Sequence, residues 1–182
     1  MRGRARRRGR RALLLLLLPL LPAAAGLAQD APPPPPAPLA PEGYVLVKTI
    51  VLPGTSDWVD GGLEVKPGDD LFFEAEGTVC IQRGNPVATC GPEGLVLRTM
   101  QQPLPDRGLG CVIGMVVYRT DVTEDKETKE KTERRWGDPF FIGRGGPAQA
   151  VEAGRLWLGI NENLTGDNEG SFTVRVYLKP RA

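Results

Sequence analysis

The sequence predicts an all-β protein, an antiparallel β-sandwich or jelly roll. Three observations carry the prediction. From Gly43 onward the apolar runs are short, and glycine or proline separates them. No segment longer than ten residues shows the 3.6-residue apolar repeat of a helix. The closing segment, residues 171–179, alternates cleanly: Phe172, Val174, Val176 and Leu178 share one face, and Thr173, Arg175, Tyr177 and Lys179 share the other. That two-residue period is the pattern of a half-buried strand.

The chain begins with an address. Seven arginines lie in the first eleven positions, six leucines run from Leu13 to Leu18, and small residues dominate 23–28. A basic region, an apolar region and a small-residue zone in this order read as a signal peptide, residues 1–28, cut after Ala28 or a few residues earlier. The apolar stretch is too short for a membrane-spanning helix of about 20 residues, so the membrane is met only if the signal stays uncleaved. Residues 29–42, QDAPPPPPAPLAPE, form a proline-rich linker that favours extended polyproline II and buries almost nothing. The mature protein is expected to be exported, periplasmic or secreted, in an oxidising compartment.

One domain, residues 43–182, remains. Strands are expected at 44–52, 63–65, 70–77, 78–83, 111–119, 156–161 and 171–179, each ended by turn residues such as Pro53-Gly54 or Lys66-Pro67-Gly68-Asp69. Gly143 to Pro147 reads as a plain turn. Residues 119–138 are an insertion in which thirteen of the 20 residues are charged, a solvated hairpin arm or a loop. Trp136 at its base is expected to be packed rather than free to stack on a sugar.

Composition excludes several functions. The chain carries no histidine, which removes Ser-His-Asp and Cys-His catalysis and histidine-ligated zinc. Its three cysteines are one short of an all-thiolate zinc site. Without the N-terminal arginines, acidic residues outnumber basic ones, which argues against nucleic-acid binding. No carboxylate pair is placed across a cleft by the sequence pattern, and no phosphate-cradling glycine loop precedes a helix. The expected class is a binding protein and not an enzyme.

The cysteines suggest a staple. With Gly84-Asn85-Pro86 as the loop of a hairpin, Cys80 falls directly opposite Cys90. Opposed side chains on paired strands lie about 5 Å apart at Cβ, close to what a disulfide needs. A Cys80–Cys90 disulfide is therefore expected, with Cys111 left as a buried, inert thiol.

Oxygen-bearing side chains concentrate late in the chain: Asn161, Glu162, Asn163, Thr165, Asp167, Asn168 and Glu169 lie between two predicted strands. Such a loop supplies the donor types calcium takes. Asparagine and aspartate that merely make turns are the alternative. Asn163-Leu164-Thr165 also fits the N-glycosylation sequon.

Several segments together resemble a known family. DLFFEAEG (70–77), GPEG (91–94), PDRGLGC (105–111) and LWLGINENLTGDNEGSF (156–172) are similar, in order and spacing, to the LecA-like family of small calcium-dependent galactophilic lectins of bacteria. The resemblance covers most of residues 60–178 and is interrupted by the charged insertion. It implies a galactose-binding-like jelly-roll sandwich holding one Ca2+ that binds sugar hydroxyls directly. It places the calcium-ligating side chains at Glu162, Asp167 and Asn168, and the two carbonyl ligands near Leu164 and Ile81. The family's aspartate is glutamate here, and one asparagine is aspartate. At the sugar side, Leu104 and Arg107 stand where the family has histidine and glutamine. Asp106 and Arg107, with Glu162, are the implied sugar-binding residues, and Arg107 points toward an acidic sugar as an alternative to a galactose-like one. The rival reading is an envelope protein-interaction module on the same sandwich that has lost metal and sugar. The sequence leaves the oligomeric state open, self-association included.

Overall fold

The computed structural model describes residues 39–181. The predicted signal peptide and all but the last few linker residues lie outside the described residues. Eleven strands follow in order: β1 (Val45–Pro53), β2 (Trp58–Val65), β3 (Asp70–Cys80), β4 (Thr89–Cys90), β5 (Val112–Val117), β6 (Arg119–Glu124), β7 (Lys131–Trp136), β8 (Pro139–Phe141), β9 (Gly145–Gln149), β10 (Gly154–Ile160) and β11 (Glu169–Leu178). One sheet has the order β1-β11-β3-β4, with β9 also paired to β3, and the second has the order β2-β10-β5-β8. Every pairing is antiparallel. The fold is the antiparallel sandwich the sequence predicts.

Alternation explains the core. Phe172, Val174 and Val176 of β11 are fully buried, as are Ala75 and Val79 of β3, and they meet Leu156, Leu158 and Ile160 of β10 in one cluster. Polar residues of β11 face out, where Arg175 bonds Glu76 (2.6 Å) and the Tyr177 hydroxyl donates to Glu74 (2.7 Å). The last linker residues rest on this outer face: the Ala40 N–H donates to Glu74 (3.0 Å), and the Tyr44 ring meets Phe72 edge-on.

Two expected strands, 70–77 and 78–83, are one continuous strand, β3. Gly77 is the reason the chain does not break there. It sits opposite Phe172 at φ 110°, and a Cβ at that point would lie 2.5 Å from the Ser171 carbonyl oxygen. Only glycine keeps the ladder intact at that crossing. Residues 145–149, expected within a turn region, form β9 because Gly145, where a Cβ would collide with the Phe73 carbonyl, lets the chain approach β3 closely.

The charged insertion is a hairpin. β6 and β7 pair from Arg119–Trp136 to Glu124–Lys131. Trp136 is packed within it: its Nε1–H donates to Asp121 (2.9 Å), and Arg134 stacks 4.0 Å from the ring centre. Arg135 lies over Trp157 at 4.1 Å, anchoring the arm to the outer face of the second sheet.

The expected Cys80–Cys90 disulfide is corrected by the register. Cys80 pairs with Thr89, and Cys90 pairs with Val79, so the two cysteines point to opposite faces of the sheet, and all three cysteines are free. The loop is longer than Gly84-Asn85-Pro86. A 3-10 turn at Pro86–Ala88 closes it, and the Ile81 N–H donates to the Ala88 carbonyl (3.0 Å). A one-residue slip reverses every side chain. It delivers Cys90 to the core, while the Cys80 thiol lies against the carbonyls of Gln82 and Asn85.

Burial pushes the Cys90 and Cys111 thiols up to about 12. At pH 8 both thiols are then held in the protonated form and not as the reactive thiolate. A thiol reagent at pH 8 is expected to label the half-exposed Cys80 rapidly and the other two only after denaturation. Two free thiols missing from the denatured protein would indicate a disulfide and contradict this register.

Candidate functional site

One end of the sandwich carries three loops that converge: 81–88 after β3, 91–110 before β5, and 161–168 between β10 and β11. They enclose a cavity of about 390 Å3 whose lining includes Ile81, Val87, Leu97, Glu162, Leu164 and Asp167. Four of the five residues predicted to hold calcium therefore share one cavity. The fifth, Asn168, is joined to it by a hydrogen bond from its Nδ2 to Glu162 Oε2 (2.8 Å).

Asn168 is the most informative residue of the group. It is fully buried, and its Nδ2 also donates to the Gly54 carbonyl (2.9 Å). Two acceptors on one side fix the orientation of the amide, because only the nitrogen can donate. The other end, Oδ1, is buried with no hydrogen-bond partner. An orphaned buried acceptor costs about 1–3 kcal/mol unless something positive meets it.

Glu162 and Asp167 sharpen the imbalance. Burial, with the neighbouring Asp167 charge adding to it, pushes the Glu162 carboxyl above the ordinary range, and the Asn168 hydrogen bond offsets only part of this. No basic residue lines the cavity. Among the described residues no three Asp, Glu, His or Cys side chains gather at one point. The donor set here is instead two carboxylates, one amide oxygen and backbone carbonyls.

Backbone bonds hold the loops in place. The Arg83 N–H donates to the Asp167 carbonyl (2.9 Å), and the Asn168 N–H donates to that of Thr165 (3.2 Å). Thr165 Oγ1 donates to Asp57 (2.7 Å), tying the loop to the start of β2. The Asn163 side chain donates to the Gln101 carbonyl.

Two further amides act as clamps: Asn161, which the sequence offered only as one of the oxygen donors of its loop, and Gln102, which it did not single out. Asn161, fully buried, accepts the Leu104 N–H (2.8 Å) and donates to the carbonyls of Leu104 and Gly108. Gln102 accepts the Thr99 N–H (3.1 Å) and donates to the carbonyls of Leu104 and Arg107. Nothing in residue type separates these structural amides from Asn168, because only burial and partners do.

The predicted sugar residues part company. Glu162 lines the cavity, whereas Asp106 and Arg107 do not. Arg107 lies 3.4 Å from Asp106 and stacks over Phe141 at 4.8 Å, on the second sheet. The cavity rim is apolar instead. Val87 is 82% exposed, Leu164 77% and Leu97 58%.

No protein-family model and no curated protein matches the chain. Among solved structures, its fold is similar to the N-terminal domain of EclA, described as a PllA-like lectin. The TM-score is 0.51 at 16% sequence identity, over 73% of this chain and 97% of that one. The sandwich is lectin-like in fold.

The raised Glu162 carboxyl gives a directional prediction. A carboxyl whose folded-state pKa is raised destabilises the fold when ionised, and that cost vanishes as pH falls below its unfolded value of about 4.3. With chelator present, Glu162→Gln is expected to melt above wild type at pH 7, and the gap is expected to close near pH 4. Thermal unfolding at the two pH values checks this; a Gln variant that melts lower at pH 7 would contradict it.

Proposed function

We propose that the protein is an exported, calcium-dependent carbohydrate-binding module and not an enzyme. The observation that carries the reading is Asn168 Oδ1, a buried acceptor with no donor, next to the half-buried Glu162 and one residue from Asp167. Water or a cation satisfies such an atom, and the adjoining carboxylates favour the cation. The donor chemistry suits calcium, a hard ion that takes carboxylate, amide and carbonyl oxygens.

On this reading Glu162, Asp167 and Asn168 hold the ion with their side chains, and Leu164 and Ile81 contribute carbonyls. Bound calcium supplies direct ligation of neutral sugar hydroxyls. The remaining residues shape what enters. Val87, Leu97 and Leu164 offer apolar surface to the C–H face of a sugar. The lining has no basic residue to pair with a carboxylate, which supports a neutral sugar over an acidic one. Asn161 and Gln102 are positioning residues that keep the 99–108 loop against the site. Residues 1–28 direct export, and the 29–42 spacer holds the domain away from its point of attachment or synthesis.

The interaction-module reading separates from this one by a single property, response to calcium. A ligand that binds only the native state stabilises it by about 2.7 kcal/mol at a hundredfold excess over Kd. Calcium is expected to raise Tm in wild type and to do so much less in Asp167→Asn or Glu162→Gln. Calorimetry with neutral monosaccharides is then expected to show heat only when calcium is present. An unchanged Tm at millimolar calcium would sink the proposal and leave the interaction module.

A further inference from the structure

A second cavity, of about 370 Å3, opens between the sheet edges formed by β8 and β9. It lies on different strands from the loop cluster and shares no lining residue with it. Its origin is a packing mismatch. Ala148 pairs with Leu71 in the first sheet, and Ala150 follows it in the core. Two methyl groups stand where larger side chains would close the gap to Val116 and Phe140 of the second sheet. Phe140 does not fill the space, because its ring tilts against Phe73 at 6.0 Å and covers Gly114.

The mouth has a different character. Asp138 and Glu152, both exposed, stand among its lining residues, and no basic residue does. Gln149 is engaged, donating to Asp70 at 3.1 Å. Val151, at 83% exposure, forms an apolar lip. The nearby Arg107 lies over Phe141 beside Asp106 and does not line the cavity.

We propose that this inter-sheet cavity is a second binding site, for a small amphiphile with an aliphatic or aryl body and a cationic amine at one end. The volume is in the range of small-ligand pockets, which are mostly apolar with a few placed polar groups. The apolar body displaces water from Leu71, Val116, Phe140 and the alanines, and burial of that area provides the affinity. The carboxylates at the mouth attract an ammonium and repel an anionic headgroup. The site selects by charge at the rim and by size within.

The test is an NMR titration of the full chain with hexylamine, hexanol and hexanoate at pH 7, read at the Ala148 and Ala150 amides. Hexylamine is expected to bind at least about twofold tighter than hexanol, since each exposed carboxylate contributes a factor of about 1.4 to 5, and hexanoate weakest. Asp138→Asn with Glu152→Gln is expected to bring hexylamine down to the affinity of hexanol while leaving hexanol unchanged. Ala148→Leu, which fills the space, is expected to abolish binding of all three. If that variant does not fold, the rim variants decide. Equal binding of the three compounds, shifts confined to other residues, no binding by wild type, or hexylamine affinity unchanged in the rim variants would overturn the proposal.

Discussion

The ladder between β3 and β11 is the interaction on which the rest of the structure depends. It runs from Glu169 opposite Cys80 to Leu178 opposite Leu71, ten residues in continuous register. Antiparallel pairing of that length sets which side chains face inward on both strands. It stacks Phe172, Val174 and Val176 beside Ala75 and Phe73, the wall on which the second sheet packs. It also brings the two chain ends that make the candidate site to one place. Ile81 leaves β3 where Asn168 enters β11, and the Arg83–Asp167 backbone bond continues the ladder into the loops.

Order at the loop end thus follows from order in the sheet. The three loops are long for a sandwich, and their own side chains hold them. Asn161 and Gln102 satisfy five backbone groups of the 99–108 segment between them. Buried amides of this kind are costly unless fully paired, and paired they fix one conformation. Against that background the unpaired Oδ1 of Asn168 stands apart. The surrounding amides are satisfied by protein, and this one has its Nδ2 bonded to Glu162 and Gly54 while its Oδ1 is buried without a donor.

Much of the fold was legible in the sequence because it is written in alternation. The 171–179 segment declared its two faces, and the continuous apolar run at 111–119 declared a strand, which the structure buries on both sides. β9 was not legible. GGPAQ has no strand propensity and is a strand only because β3 offers it an edge at Phe73. The cysteine pairing was missed for a related reason: a hairpin register depends on loop geometry, and the turn at Pro86–Ala88 leaves one residue fewer between Cys80 and its partner, which inverts the faces. At the site, composition marked only an oxygen-rich loop at 161–169, and it was the family resemblance that implied Glu162, Asp167 and Asn168 within it. Composition said nothing about which amide clamps a loop and which is left open. The resemblance put Arg107 at the sugar pocket with Glu162, but its guanidinium finds Phe141 and Asp106 instead.

The central claim is that Asn168 Oδ1 and its two carboxylate neighbours form a cation site. A calcium titration followed by NMR at the Asn168 side-chain amide tests it most directly. The account predicts saturable shifts there and in the backbone amides of residues 81–83 and 162–168. An unchanged Asn168 amide, with shifts only among the exposed acids of the β6–β7 hairpin, would contradict it.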